Sequence, residues 1–230
     1  MEDTILWNTE SDNYTKRAQS LLKEKLFTRK KDMQDVQKIL DALPHQCVIK
    51  NVLDIGCAHG SLATLLAKRL PAARVVGIDP GKRTVAYAKR VFKGQKNLSF
   101  HVGYSHKLPI KESFDLVILR MVLQWIPRAY LLYTVAEIDR ACSKFIYIQD
   151  FYPHIPSTSV SIHNKQVRIF KQDYTALFTS TLSYKIIYQE LWDTDEGDNF
   201  QRGHFLLKKY PLDHTYLART AVQEKTHAIS

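Results

Sequence analysis

The chain has 230 residues, of which 45% are hydrophobic and 24% are charged, and its formal net charge is +10. This composition is ordinary for a soluble globular protein with a large core, and the length suits one domain with a small appendage. No apolar run approaches the roughly 20 residues that span a bilayer, which excludes a transmembrane helix.

The cysteines and the first residues bear on the cellular compartment. Cys47, Cys57 and Cys142 are few and scattered, which favours free thiols in a reducing cytoplasm over a disulfide framework. Their spacing lacks the pairs typical of metal ligands, so we expect no metal site. The opening stretch MEDTILWNTESDNYTKR has no apolar core, so we expect no signal peptide.

The predicted elements begin with a helical region and continue as an alternation. Residues 10–43 place apolar side chains at helical spacing, with Ser11 and Asp12 as helix caps and Pro44 as the end of the region. The strands predicted next are 48–56, 73–79, 97–103, 113–123 and 144–151, and the helices are 61–71, with Ser61 as its N-cap, 81–94 and 128–143. Strands and helices alternating at this spacing form a parallel sheet with helices on both faces, which is a doubly wound α/β fold.

The last third of the chain departs from this alternation. Residues 167–178 predict a strand end or loop followed by a helix. The segments 183–193 and 200–210 are strands separated only by a polar turn, so they should pair as an antiparallel hairpin. We therefore predict a seven-stranded, mostly parallel sheet with an antiparallel C-terminal hairpin. The predicted organisation is a helical cap at 1–45, a sheet domain at 46–210 with an insertion at about 150–175, and a tail at 211–230.

The stretch VLDIGCAHG, which ends the first predicted strand, is the first candidate for a binding loop. In open α/β sheets ligands lie at the carboxyl ends of the strands. Gly56 permits a sharp turn and close approach of a ligand to the backbone, and Gly60 lets the next helix start close to the strand. Asp79 ends the second strand, where a carboxylate can take both hydroxyls of a ribose. These features predict a nucleoside cofactor, and Asp54 favours one that carries a cationic group over a pyrophosphate.

The motifs VLDIGCAHG, VVGID, LPIKESFDLVIL and RMVLQWIP together resemble those of class I methyltransferases, which use S-adenosylmethionine. The resemblance covers about residues 48–210. It implies a Rossmann-like methyltransferase fold, S-adenosyl-L-methionine as cofactor and methyl transfer as the activity. The cofactor-binding residues that it implies are Asp54, Gly56, Cys57, Ala58, Gly60, Asp79, Pro80, Tyr104, Ser105, Arg120, Tyr14 and Arg17.

Two positions depart from the pattern of that family. Ala58 stands where the family has the middle glycine of its loop, and backbone amides remain available there. Tyr104 stands where the family commonly places an Asp that meets the adenine amino group, so Ser105 or a backbone group is expected to replace that contact. For Tyr14 and Arg17, which would meet the methionine carboxylate, helix packing and an exposed side chain are the alternative interpretations.

Acceptor-binding residues are expected beyond the fourth and fifth strands, since methyl transfer mainly requires a positioned nucleophile and exclusion of water. The candidates are Trp125, Tyr152, His154, Arg168 and Lys171, with His154 as a general base. Each also has an ordinary structural interpretation. His154 would then be a surface histidine in a proline-rich turn, Arg168 and Lys171 a solvated edge, and Trp125 a core side chain.

A finer resemblance concerns the acceptor. The segments NYTKR, DFYPH and IFKQDY are similar to those of bacterial methyltransferases associated with pseudaminic and related nonulosonic acid sugar synthesis, which implies a sugar-like acceptor. An RNA methyltransferase is an alternative. The charge of +10 favours it, and the lack of interleaved aromatic and basic residues argues against it. A methyltransferase-like binding protein without catalysis is the other alternative, supported by Ala58 and Tyr104. We expect a small-molecule acceptor and no membrane partner, and the sequence does not set the oligomeric state.

Overall fold

The computed structural model describes residues 9–13, 15–16, 30–161, 164–180, 182–193 and 201–210. Tyr14, Arg17 and the predicted tail at 211–230 lie outside these residues. The strands are β1 (Asn51–Ile55), β2 (Arg74–Asp79), β3 (Leu98–Val102), β4 (Phe114–Arg120), β5 (Cys142–Phe151), β6 (Ser157–Val160), β7 (Arg168–Lys171), β8 (Tyr184–Asp193) and β9 (Gln201–Lys209).

Seven of these strands form one sheet in the order β3-β2-β1-β4-β5-β9-β8. The first five are mutually parallel, whereas β9 runs antiparallel to both β5 and β8. The predicted fold class, including the C-terminal hairpin, is confirmed. The strand order reverses direction between β1 and β4, which makes the carboxyl ends of these two strands the place where a ligand is expected.

Helices cover both faces of the sheet, as the alternation predicted. Their bounds are Lys30–Ala42, Ser61–Arg69, Lys82–Val91, Arg128–Ala141 and Ala176–Thr179, with a 3-10 turn at Leu123–Trp125. Residues 9–13 and 15–16 are also helical. No helix in the described part of the chain is both long enough and apolar enough to cross a membrane.

Each face of the sheet buries its own apolar core. One core contains Val36, Ile39, Val52, Leu66, Val75, Val85, Phe100 and Ile118. The other contains Leu53, Ile55, Val117, Leu119, Leu131, Ile138, Ile146 and Phe205. Alternate residues of β1 and β4 therefore belong to opposite cores, which explains why these strands read as continuous apolar runs in the sequence.

The helix that follows the glycine loop begins differently from the prediction. We expected the Ser61 side chain to cap it, but the cap is Gly60, which has φ +84°, and it makes no side-chain cap hydrogen bond. The Ser61 hydroxyl instead donates to Asp32 Oδ2 at 2.6 Å. Since Asp32 lies on the Lys30–Ala42 helix, this bond ties the two helices together.

The insertion after β5 folds as a small hairpin. Strands β6 and β7 pair antiparallel with each other and form a separate two-stranded sheet. Strand β7 packs against the 3-10 turn Leu123–Trp125, which follows β4. The insertion therefore lies over the carboxyl ends of β4 and β5.

Candidate functional site

The sheet topology brings three charged strand-end residues to one edge. Strand β1 lies between β2 and β4, and all three are parallel. Asp54 near the end of β1, Asp79 at the end of β2 and Arg120 at the end of β4 therefore lie at the same edge of the sheet. These three residues were expected in the cofactor site from the sequence.

The glycine loop after β1 has a left-handed backbone at three positions. Gly56, Ala58 and Gly60 have φ values of 73°, 48° and 84°. The N–H groups of Gly56 and Cys57 both donate to the Ile78 carbonyl, at 2.8 and 3.0 Å, so the loop is tied to β2. Cys57 is buried, and desolvation raises the pKa of its thiol, which makes it an inert packing residue.

Ala58 contributes to the site through its backbone. Its N–H donates to Asp79 Oδ2 at 2.9 Å. A left-handed conformation is strained for alanine, and strain of this kind concentrates at functional sites. The alanine thus replaces the expected glycine at a conformational cost, while the amide that the loop presents is retained.

Asp79 is almost fully buried and accepts three hydrogen bonds from the described residues. Gly81 N–H donates to Oδ1 at 2.9 Å, the Ser11 hydroxyl also donates to Oδ1, and Ala58 N–H donates to Oδ2. Burial raises the pKa of Asp79, and the three hydrogen bonds oppose that rise. Pro80, which follows it, is half-buried. Ser11 was predicted as a helix cap, and no sequence signal marked its contact with Asp79.

Asp54 is a buried carboxylate with an unsatisfied oxygen. The side chain is 2% exposed, and Oδ2 has no hydrogen-bond partner among the described residues. Burial raises its pKa to about 7, the nearby Arg120 opposes this, and Asp79 and Asp32 add to it. A buried carboxylate that lacks a partner is costly, so this atom points to a ligand that supplies a donor or a positive charge.

Arg120 is held by two acids of the Lys30–Ala42 helix, and no sequence signal marked this pairing. Its Nη2 lies 2.7 Å from Asp32 Oδ1, and its Nε lies 3.5 Å from Asp35 Oδ2. Burial opposes ionisation of Asp32, but Arg120 and Ser61 outweigh it and lower its pKa. Burial raises the pKa of Asp35, and the charge of Arg120 opposes that rise without cancelling it. Arg120 therefore joins the helix to the site.

The two adenine candidates occupy different environments. Ser105 is buried, and its hydroxyl lies 3.1 Å from Thr134 Oγ1, so it faces the Arg128–Ala141 helix. Tyr104 is half-buried, and its ring centroid lies 5.5 Å from that of His106. His106 in turn stacks on Tyr130 at 4.4 Å. The packing thus engages Ser105 in the protein interior and leaves Tyr104 at the rim of the site.

The turn after β4 contains a residue with a left-handed backbone and is bonded to a buried acid. Met121 has φ 55°, and its N–H donates to the Gln149 carbonyl at 2.7 Å. Asp150 accepts the N–H of Gln124 at 3.3 Å and that of Phe151 at 2.8 Å. Burial raises the pKa of Asp150 to about 7. A strained residue at a strand end and a buried acid that orients the following turn are typical of functional sites.

The acceptor candidates divide into a buried and an exposed group. Lys171 is 2% exposed, and its Nζ lies 4.5 Å from the centroid of the Phe151 ring. Tyr152 is half-buried, with its ring 5.1 Å from that of Phe205, and Trp125 is also half-buried. His154 and Arg168 are exposed. Lys171 and Tyr152 therefore pack against side chains of β5 and β9, Trp125 lies in the turn after β4, and His154 and Arg168 face solvent.

Arg202 of β9 joins this region although no sequence signal marked it. Its Cζ lies 4.6 Å from the centroid of the Phe151 ring, so Phe151 has cations near it from both Lys171 and Arg202. Arg202 is opposite Phe151 in the β5–β9 register. Only this antiparallel pairing brings the arginine to the end of β5.

Other features of the described residues do not extend the site. A groove lined by residues such as Pro44, Lys50, Lys144 and Lys208 lies at the opposite edge of the sheet. Within the described ranges, no group of three or more His, Cys, Asp and Glu side chains is placed to hold a metal ion.

Residues 52–144 match the family model described as a methyltransferase domain. The matched residues run from β1 to the start of β5, and they include the glycine loop, Asp79 and Arg120. Trans-aconitate 2-methyltransferase of Escherichia coli O139:H28 is 33% identical over 85 residues, which cover 37% of this chain and 32% of that protein. Malonyl-[acyl-carrier protein] O-methyltransferase of Acetivibrio thermocellus is 33% identical over 75 residues, 33% of this chain and 26% of that protein. The chain thus spans about a third or less of these methyltransferases.

Solved structures of the methyltransferase fold are similar over most of the chain. The N-methyltransferase NodS of Bradyrhizobium japonicum WM9, in complex with S-adenosyl-L-homocysteine, has a TM-score of 0.60 at 14% identity. The similar region covers 80% of this chain and 90% of the NodS chain. The [4+2]-cyclase SpnF has a TM-score of 0.61 at 13% identity. The similar region covers 76% of this chain and 80% of the SpnF chain. At these identities the similarity shows the fold alone, since a cyclase also has it.

Proposed function

We propose that this protein transfers a methyl group from S-adenosyl-L-methionine to a small-molecule acceptor. The observation that carries the proposal is the pair of buried acids at the edge of the sheet. Asp79 is buried at the end of β2, and Asp54 keeps a buried oxygen that has no hydrogen-bond partner among the described residues. Bound S-adenosylmethionine would supply an electrophilic methyl group on a sulfonium.

The residues at this edge fit the parts of that cofactor. Asp79 would accept the ribose hydroxyls, as strand-end acids of nucleotide-binding folds do. The free oxygen of Asp54 would face the amino group of the methionine part, whose positive charge would favour the ionised carboxylate. The left-handed loop from Gly56 to Gly60 would bring its backbone close to the ligand. Tyr104 would lie at the adenine end.

The acceptor side favours an anionic small molecule, and a sugar acid is one such molecule. Lys171 and Arg202 place two cations at the end of β5, and Trp125 and Tyr152 add aromatic surface nearby. Two of the similar methyltransferases are named for carboxylic acids, trans-aconitate and a malonyl group. His154, which is exposed, would act as a base only if the acceptor reached the turn after β5. Arg168, also exposed, would then bind the outer part of the acceptor.

Calorimetry with S-adenosylhomocysteine tests the cofactor assignment. We expect micromolar binding by the unaltered chain and none by Asp79→Ala. Glu112→Ala is the matched control, because this exposed carboxylate pairs with Arg74 away from the site and its loss should leave binding unchanged. Absence of binding by the unaltered chain would refute the proposal.

Methyl transfer is then measured with labelled S-adenosylmethionine and a set of carboxylate and sugar-acid acceptors. Binding of the cofactor without transfer to any acceptor would favour a binding protein that lacks catalysis. A mobility shift with RNA that weakens steeply as salt increases would favour the RNA alternative.

A further inference from the structure

A helical segment near the start of the chain lies across the candidate cofactor site. We call residues 9–13 and 15–16 the strap. The Ser11 hydroxyl donates to Asp79 Oδ1. Asp12 Oδ1 accepts the N–H of Thr84 at 3.1 Å, so the strap also caps the helix that follows β2. One end of the site is therefore closed by side chains 68 residues or more away in sequence.

The strap has a second anchor on the other side of the site. Glu10 is 8% exposed and accepts a hydrogen bond from Asn164 Nδ2 at 2.7 Å. Asn164 lies in the insertion between β6 and β7. The strap is thus bonded both to residues that follow β2 and to the insertion that follows β5.

The hydrogen-bonding capacity of Asp79 limits what else can bind there. A carboxylate accepts about four hydrogen bonds, two on each oxygen. Gly81 and Ser11 occupy Oδ1, and Ala58 occupies one position on Oδ2. The donors among the described residues thus leave one position, whereas the two hydroxyls of a ribose need two.

Of the three donors, Ser11 is the one that can leave. The amides of Ala58 and Gly81 are fixed by the backbone of the loops after β1 and β2. Ser11 belongs to the strap, which is held by side chains. The strap packs closely against Gly81, because a Cβ added there would lie 2.5 Å from Ser11 Oγ and 2.9 Å from Asp12 Oδ1.

We propose that Ser11 competes with the ribose hydroxyls for Asp79, so that release of the strap sets the affinity for the cofactor. The inference rests on the proposed function, because it concerns the same Asp79. It identifies the strap as the element that must move when the cofactor binds.

The test is calorimetric titration of S-adenosylhomocysteine into the full chain and three variants. Ser11→Ala removes the competing donor, and Asn164→Ala releases the strap at its other anchor without altering Asp79. Ser143→Ala is the matched control, since this hydroxyl lies 3.3 Å from an oxygen of Asp115 at the opposite edge of the sheet. We expect the Kd to fall about tenfold in the first two variants and to stay unchanged in the third, since one hydrogen bond to a charged group is at stake.

Hydrogen exchange provides a second measurement on the unaltered chain. Addition of S-adenosylhomocysteine should speed amide exchange in the peptide that contains residues 9–16, and slower exchange would overturn the inference. An unchanged or higher Kd for Ser11→Ala would overturn it while the proposed function stands. An effect of Ser11→Ala without one of Asn164→Ala would also overturn it. If neither the unaltered chain nor any variant binds, the proposed function fails and the inference fails with it.

Discussion

Gly60 is a position at which an added methyl group should destabilise the cofactor loop. Its φ of +84° is unfavourable for a residue with a Cβ, by about 1–2 kcal/mol. A Cβ there would also lie 2.6 Å from Phe100 Cζ, a rigid and buried ring. Overpacking of this kind costs about 1–3 kcal/mol. Gly60→Ala should therefore lower the free energy of unfolding by about 2–5 kcal/mol.

Two other glycines separate the backbone cost of the left-handed φ from the cost of packing against Phe100. A Cβ at Gly77 would meet the same Phe100 ring at 2.7 Å, but its φ is not in the left-handed region, so Gly77→Ala should cost only the packing part. A Cβ at Gly94 would meet nothing within 4 Å, and Gly94→Ala should be neutral or slightly stabilising. The expected order of destabilisation is Gly60→Ala, Gly77→Ala, Gly94→Ala.

Urea and thermal unfolding of the three variants measure this order. With about 2–4 °C per kcal/mol in a chain of this size, Gly60→Ala should lower Tm by roughly 4–20 °C. Because the loop would shift, its affinity for S-adenosylhomocysteine should also fall. A Gly60→Ala variant as stable as Gly94→Ala would show that the loop backbone is not constrained as described.

Three further predictions concern buried polar groups. Burial raises the pKa of Asp54 from 3.8 to about 7, so the folded chain holds a proton that the unfolded chain loses above pH about 4. The free energy of unfolding should therefore fall as the pH rises from about 4 to about 7. Asp54→Asn should flatten this slope in urea titrations, and an unchanged slope would contradict the assignment. Arg120→Met should lower the free energy of unfolding by about 3 kcal/mol at pH 8, because Asp32 and Asp35 would lose the cation that they contact. Part of this loss should be recovered at pH 5. Equal losses at both pH values would argue against the ion pairs. Asn97→Ala should lower the free energy of unfolding by about 1–3 kcal/mol, because Asn97 Nδ2 donates to the carbonyls of Ala67, Leu70 and Ala73. These groups lie far from the site, so the affinity for S-adenosylhomocysteine should not change. A weaker affinity would contradict this prediction.

The architecture could be predicted from the sequence because its signals are local and periodic. Apolar runs of strand length, helices between them and the short polar turn before the last strand lead to one sheet, since parallel strands need crossovers and adjacent ones form hairpins. The same periodicity placed Asp54 and Asp79 at strand ends. The N-cap of the helix after the loop was predicted wrongly, because Ser61 bonds Asp32 of another helix and Gly60 serves as the cap.

The sequence by itself determined the fold, the glycine loop and the acids at the strand ends, because each depends on residues close together in the chain. Only the tertiary structure decided which side chains those groups meet. Ser11 reaches Asp79 across 68 positions and Asp32 reaches Arg120 across 88. Many of the 33 Lys and Arg and 23 Asp and Glu residues could have formed such pairs on charge alone. Packing of the helices on the sheet selects among them, because burial makes an unmatched charge costly.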